Sequence, residues 1–120
     1  MNKKTLVIGA SLKPERYSNI AIKRLTENKV ETVAFGLKRG EVSGVSIDTE
    51  LMPYKDLHTV TLYLNPQRQK SYYDYIIGLN PKRVIFNPGT ENPEFQNLLK
   101  QKNIVFEEAC TLVLLSINQY

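Results

Sequence analysis

Four short, near-continuous apolar runs, each closed by a glycine or a proline-bearing turn, constrain this chain more than any other feature. They are Thr5-Leu6-Val7-Ile8 before Gly9, Thr32-Val33-Ala34-Phe35 before Gly36, Thr59 to Leu64 before Asn65-Pro66, and Arg83-Val84-Ile85-Phe86 before Asn87-Pro88-Gly89. A strand that alternates apolar and polar residues has one wet face. A run without that alternation suits a strand covered on both faces, as parallel strands beneath helices are. Ile104-Val105-Phe106 reads as a fifth strand of the same kind.

The segments between the runs carry helical spacing. Ser18 is a candidate N-cap, and beyond it Ile20, Ala21 and Leu25 fall on one side of a helix that frays near Asn28. Tyr72, Tyr75, Ile76 and Leu79 predict a helix over 67–79, stopped by Asn80-Pro81. A third helix is expected from Pro93 to Lys102, with proline tolerated in its first turn. The apolar segment Cys110 to Ile117 reads as a short final helix. Leu37 to Leu57 contains the breakers Gly40, Gly44 and Pro53, and reads as a loop with room for a short extra strand around Val45 to Ile47.

Strands alternating with helices require right-handed crossovers. The expected architecture is therefore an α/β, Rossmann-like three-layer sandwich around a mostly parallel, five-stranded sheet. At 120 residues the chain, 1–120, is expected to be one domain, with no repeat, linker or low-complexity tract. The single cysteine, Cys110, rules out an internal disulfide, and with His58 as the lone histidine no metal site is expected. No apolar stretch suits a signal peptide or a membrane span, so the expected location is cytoplasmic with no membrane partner. The net charge of +4 is spread along the chain in ones and twos. A nucleic-acid binder concentrates its cations on one element, so no nucleic acid is expected.

In open α/β sheets ligands bind outside the carboxyl ends of the strands, where strand order reverses. Those ends read Gly9-Ala10-Ser11, Gly36-Leu37-Lys38, Leu64-Asn65-Pro66 and Asn87-Pro88-Gly89. Gly9 permits a sharp turn and a close approach of backbone to ligand. Ser11 offers a hydroxyl and an amide, and the helix starting near Ser18 presents free N–H groups and the positive end of its dipole. Lys13 and Arg16 lie on the same loop. Together these suit a phosphorylated nucleotide.

The dinucleotide pattern G-x-G-x-x-G is absent, because Ser11 stands at its second glycine and the loop is longer. Lys38-Arg39 follow the second strand where NAD binding calls for an acidic residue. Cations there suit a phosphate on the ribose, which leaves NADP or coenzyme A. Groups for catalysis are few. His58 precedes the third strand and so sits at its amino end, away from the expected site. Adjacent Glu107 and Glu108 point to opposite faces of an extended chain and read as a solvated edge. Cys110 reads as a packed thiol, and Tyr72 and Tyr75 as side chains lying on the sheet.

Val7-Ile8-Gly9-Ala10-Ser11, followed by Lys13-Pro14-Glu15-Arg16-Tyr17-Ser18-Asn19, resembles the opening of the small, stand-alone CoA-binding proteins. Their domain is similar to the nucleotide-binding domain at the start of the succinyl-CoA synthetase alpha subunit. The likeness runs through nearly the whole chain, with landmarks at Lys38, Gly44, Pro88-Gly89 and Cys110. It departs at Phe35-Gly36-Leu37-Lys38, which replaces an Asn-Pro-Lys turn, and after Cys110, where Thr111 replaces a proline.

The resemblance implies a Rossmann-like fold with coenzyme A, or an acyl-CoA, as ligand. It places the pyrophosphate on Gly9, Ala10 and Ser11, with Arg16 and Ser18 nearby. The adenosine end falls by Gly36 and Lys38, and Asn65 with Pro88-Gly89 flanks the remaining arm. It implies a binding role with no catalytic residue, since the synthetases use a phosphohistidine on a separate domain. Two alternatives stay open: an NADP-binding reductase-type domain, and a protein-interaction module that forms a homodimer through Thr111 to Ile117.

Overall fold

The computed structural model describes residues 2–120. Among these residues seven strands form one sheet: β1 (Thr5–Ala10), β2 (Thr32–Gly36), β3 (Gly40–Val42), β4 (Val45–Asp48), β5 (Thr59–Leu62), β6 (Arg83–Phe86) and β7 (Val105–Glu108). Their order across the sheet is β3-β4-β2-β1-β5-β6-β7. Every neighbouring pair is parallel except β3 with β4.

The fold is α/β and Rossmann-like, but the sheet has seven strands where the sequence predicts five. Both additions come from the segment read as a loop. Ser43 and Gly44, at φ +50° and +81°, form the tight turn of a β3–β4 hairpin, because two successive left-handed residues match the twist of paired strands. Gly44 is therefore the device that pairs two strands. Val42, Val45 and Ile47 are buried by the pairing, and Ile47 lies beside Ala34 of β2. The segment Val45 to Ile47 does form a strand, as allowed.

The helices are α1 (Tyr17–Glu27), α2 (Pro66–Gln69), α3 (Tyr73–Leu79), α4 (Pro93–Gln101) and α5 (Thr111–Ser116), with a 3-10 turn over Lys70–Tyr72. On one face of the sheet, Leu6, Ile8, Val60, Leu62, Val84 and Phe86 pack against Ile76 of α3 and Phe95 and Leu99 of α4. On the other, Val7, Ala34 and Ile47 pack against Ile22 and Leu25 of α1 and Leu115 of α5. Successive β1 residues feed opposite cores, which is why Leu6-Val7-Ile8 is apolar without a break.

Two helical expectations change. Arg16, not Ser18, occupies the N-cap of α1. Its amide donates to the Lys13 carbonyl at 3.1 Å, closing a Pro14-containing turn that leads into the helix before Ser18 is reached. The buried stripe then runs through Ser18, Ala21, Ile22 and Leu25, with Ile20 only half-buried.

The single helix expected over 67–79 is instead α2, the 3-10 turn and α3. Asn65 caps α2 by accepting from the Arg68 amide, with Pro66 in the first turn. Adjacent Tyr72 and Tyr73 anchor on different aromatics. Tyr72 meets Phe35 edge-on at 5.4 Å and Tyr73 stacks on Phe95 at 4.5 Å, and the backbone leaves helical geometry between them. The final apolar segment is helical, as expected.

Candidate functional site

The strand order reverses at β1, which has β2 on one side and β5 on the other. The crossover from β1 to β2 runs through α1 on one face, and that from β5 to β6 runs through α2 and α3 on the opposite face. At such a switch point the loops part and leave a crevice. A cavity of about 590 Å³ opens there.

Gly9 and Gly36 shape its floor. Gly9 has φ +93°, a conformation that suits glycine, and the β1 register skips between Ile8 and Ala10. A Cβ on Gly9 would stand 2.9 Å from the Tyr63 carbonyl oxygen, and one on Gly36 only 2.3 Å from the Ala10 carbonyl oxygen. The end of β1 is thus wedged between its neighbours with no room for a side chain on either facing residue. The glycines hold bare backbone against the cavity.

The loop beyond is fixed by short polar contacts. The Ser11 hydroxyl accepts from the Lys13 amide at 3.1 Å, and the Ser11 carbonyl accepts from the Asn19 side chain at 2.9 Å. Asn19 is 2% exposed and pins the first turn of α1 to the β1 turn. No side chain among the described residues caps α1. The amides of Tyr17 and Ser18 find no partner among the described residues, and both residues line the cavity.

All ten residues singled out for a ligand line this one cavity: Gly9, Ala10, Ser11, Arg16, Ser18, Gly36, Lys38, Asn65, Pro88 and Gly89. Four cations border it, Lys13, Arg16, Lys38 and Arg68, and no carboxylate stands among the described lining residues. None of the four takes part in an ion pair with a described residue. Arg39 does not line it.

Arg68 escaped the sequence reading, although Asn65-Pro66 was a legible helix start that puts position 68 in the first turn above the site. Aromatic and aliphatic walls come from Phe35, Leu37, Tyr63, Leu64 and Tyr72. The Tyr63 hydroxyl is buried with no hydrogen-bond partner among the described residues. Burial first, then the nearby Cys110, pushes its phenol well above the ordinary range.

The remaining candidates stand apart. His58 lies at the amino end of β5, where its Nδ1 meets the Thr59 hydroxyl at 2.7 Å. Burial, followed by Arg83, Lys3 and Lys82, pushes its pKa below the ordinary value. Glu107 faces Arg83 at 3.8 Å, whereas Glu108 accepts from Gln96, so the two carboxylates do diverge. Cys110 is half-buried and does not line the cavity. No group of His, Cys, Asp and Glu among the described residues could hold a metal, and no described helix is long and apolar enough to cross a membrane.

A family described as "CoA binding domain" matches residues 3–116. The chain belongs to this CoA-binding family. Structures of similar proteins agree on the fold. One solved as "Crystal structure of uncharacterized protein" is 46% identical, with a TM-score of 0.96, and the alignment covers 100% of this chain and 99% of that one. A hypothetical protein from Pyrococcus horikoshii OT3 is 27% identical, with a TM-score of 0.84 and coverage of 93% and 80%. A Thermus thermophilus protein at 20% identity and a TM-score of 0.86, covering 99% and 91%, shares the fold. Among curated proteins nothing matches. The glycine-floored, cation-rimmed cavity suits an anionic ligand.

Proposed function

We propose that the chain acts as one unit that binds coenzyme A, free or as an acyl thioester, in the cavity at the carboxyl ends of β1, β2, β5 and β6. One observation carries the reading: four cations without carboxylate partners surround a turn whose glycines leave bare backbone and whose helix start has free amides. Membership of a CoA-binding family supports coenzyme A as the ligand in this reading.

In this reading the diphosphate rests on the amides of Gly9, Ala10 and Ser11, with Ser18 and the charge of Arg16 beside it. A helix N-terminus that no side chain caps favours an anion through its free N–H groups and its dipole. Gly36 and Lys38 hold the adenosine end, where the Lys38 ammonium faces the ribose phosphate. Asn65, Pro88 and Gly89 border the pantetheine arm. The protein binds and orients the cofactor and has no catalytic residue of its own.

Isothermal titration calorimetry with CoA, dephospho-CoA and NADPH tests the proposal. CoA binds, and dephospho-CoA binds about tenfold more weakly, the factor expected when one charge-assisted phosphate contact is lost. Absence of heat at millimolar CoA, or tighter binding of NADPH than of CoA, would refute it.

A further inference from the structure

The cavity wall formed by the β5–α2 and β6–α4 loops is bridged by a buried side chain that does not line the cavity. Gln69, in the last position of α2, is fully buried. Its Nε2 donates to the Leu64 carbonyl and to the Thr90 carbonyl, each at 2.8 Å. Its Oε1 accepts from Asn92 Nδ2 at 3.0 Å. Leu64 and Thr90 belong to different loops, and both line the cavity.

Asn92 extends the link into the scaffold. Its Oδ1 caps α4 by accepting from the Phe95 amide at 3.1 Å, and its Nδ2 also donates to the Tyr73 hydroxyl at 2.8 Å. A buried polar residue is costly unless every group it carries is bonded. Here the amide's two protons and its oxygen are all used, and each bond spans elements that no strand pairing joins. The sheet ladder fixes β5 against β6 only as far as Leu62 and Phe86, so the loops beyond depend on other ties.

We infer that Gln69 is a positioning residue, which clamps the β5–α2 and β6–α4 loops at a fixed separation and so pre-forms the wall against which the pantetheine arm lies. The inference rests on the reading of the cavity as a CoA site. The adenosine end, on the far side of β1 by Gly36 and Lys38, is independent of the clamp. A ligand that keeps only that end and its phosphates should be indifferent to Gln69.

The test compares CoA with adenosine 3′,5′-bisphosphate by calorimetry on wild type, Gln69→Leu and Asn92→Asp. Gln69→Leu keeps the volume and removes all three bonds. Asn92→Asp keeps an oxygen to cap α4 and removes the donor to Gln69 and Tyr73 while both Gln69 Nε2 bonds remain, so it breaks one of the three clamp bonds and serves should the first fail to fold. CoA affinity falls about tenfold in Gln69→Leu, as a wall that must be ordered on binding costs, while bisphosphate affinity changes less than about twofold. Asn92→Asp shows the same selectivity at smaller amplitude.

General destabilisation would weaken both ligands by one shared factor. An unchanged ratio of the two affinities in the folded variants therefore overturns the positioning role. A wild type that binds neither ligand overturns the CoA reading and the inference with it. A wild type that binds both, with an unaltered ratio in the variants, overturns the inference alone.

Discussion

Replacing Gly9 with alanine attacks the turn at its tightest point. The substitution carries two separate costs. At φ +93° a side chain is strained in any surroundings, which costs about 1–2 kcal/mol. The new methyl would also stand 2.9 Å from the Tyr63 carbonyl oxygen and 3.0 Å from its carbon, and backbone atoms cannot rotate aside as a side chain can. The Tyr63 amide is itself bonded to the Ile8 carbonyl at 2.9 Å, so relief requires β1 and β5 to part. Overpacking of this kind costs about 1–3 kcal/mol. The two costs overlap, because a change in φ relieves part of the clash, and about 2–4 kcal/mol is expected in all.

An unfolding entropy of about 2.1 cal/mol/K per residue turns that loss into a fall in melting temperature of about 8–16 °C. Urea melts followed by circular dichroism give the free energy, and calorimetry on the folded variant at low temperature gives CoA binding. Binding should be lost even where the variant is folded, since the amides of Ala10 and Ser11 swing with the turn. A variant within about 0.5 kcal/mol of wild type that binds CoA undiminished would refute both the clamped turn and its role as the diphosphate seat.

Gly78 provides the opposite case. It lies inside α3, has no unusual φ, and an alanine there would meet nothing within 4 Å, so Gly78→Ala should stabilise by about 0.5–1 kcal/mol in the same melts. Asn87→Leu removes a buried amide that donates to the Thr61 hydroxyl and the Leu62 carbonyl and accepts from the Thr111 amide. Those groups stay buried without it, and a loss of about 2–4 kcal/mol is expected by urea denaturation. Burial raises the pKa of Tyr75 to about 12, and those of Tyr54 and Tyr63 further. Raised phenol pKa values favour the protonated, folded form. This stability is complete below pH 10 and lost as pH climbs through 10 toward about 12 and beyond, which absorbance at 295 nm and melts across that range would show.

The parallel core was legible because its signal is local. Leu6-Val7-Ile8 and Val84-Ile85-Phe86 are apolar on both faces, and only a doubly covered strand needs that. The β3–β4 hairpin was half hidden, since its two-residue turn, Ser43-Gly44, sits among other breakers and its strands are short edge elements. The start of α1 was misplaced by two residues because serine is the better cap by propensity, while the matter is decided by a local turn, Lys13 to Arg16 with Pro14 at its second position.

In the site, glycines and turn residues at strand ends could be read from the rule about carboxyl ends, and all of them meet at one cavity. Asn19 and Gln69 could not, whereas Arg68 was within reach, since Asn65-Pro66 marks the helix start that carries it. A glutamine in a helix looks like a surface residue, and only the approach of the Leu64 and Thr90 carbonyls from two separate loops makes its burial favourable.

The sheet order has a consequence for the chain as it is made. β1 lies in the middle of the sheet yet is synthesised first, and β2 protects only one of its edges. The other edge waits for Thr59–Leu62, which at ribosomal speed leaves Leu6-Val7-Ile8 with open hydrogen-bonding groups for on the order of seconds. A nascent chain halted between Gly36 and Thr59 therefore displays a bare apolar strand, the kind of surface that chaperones hold and that other unfinished copies can zip onto.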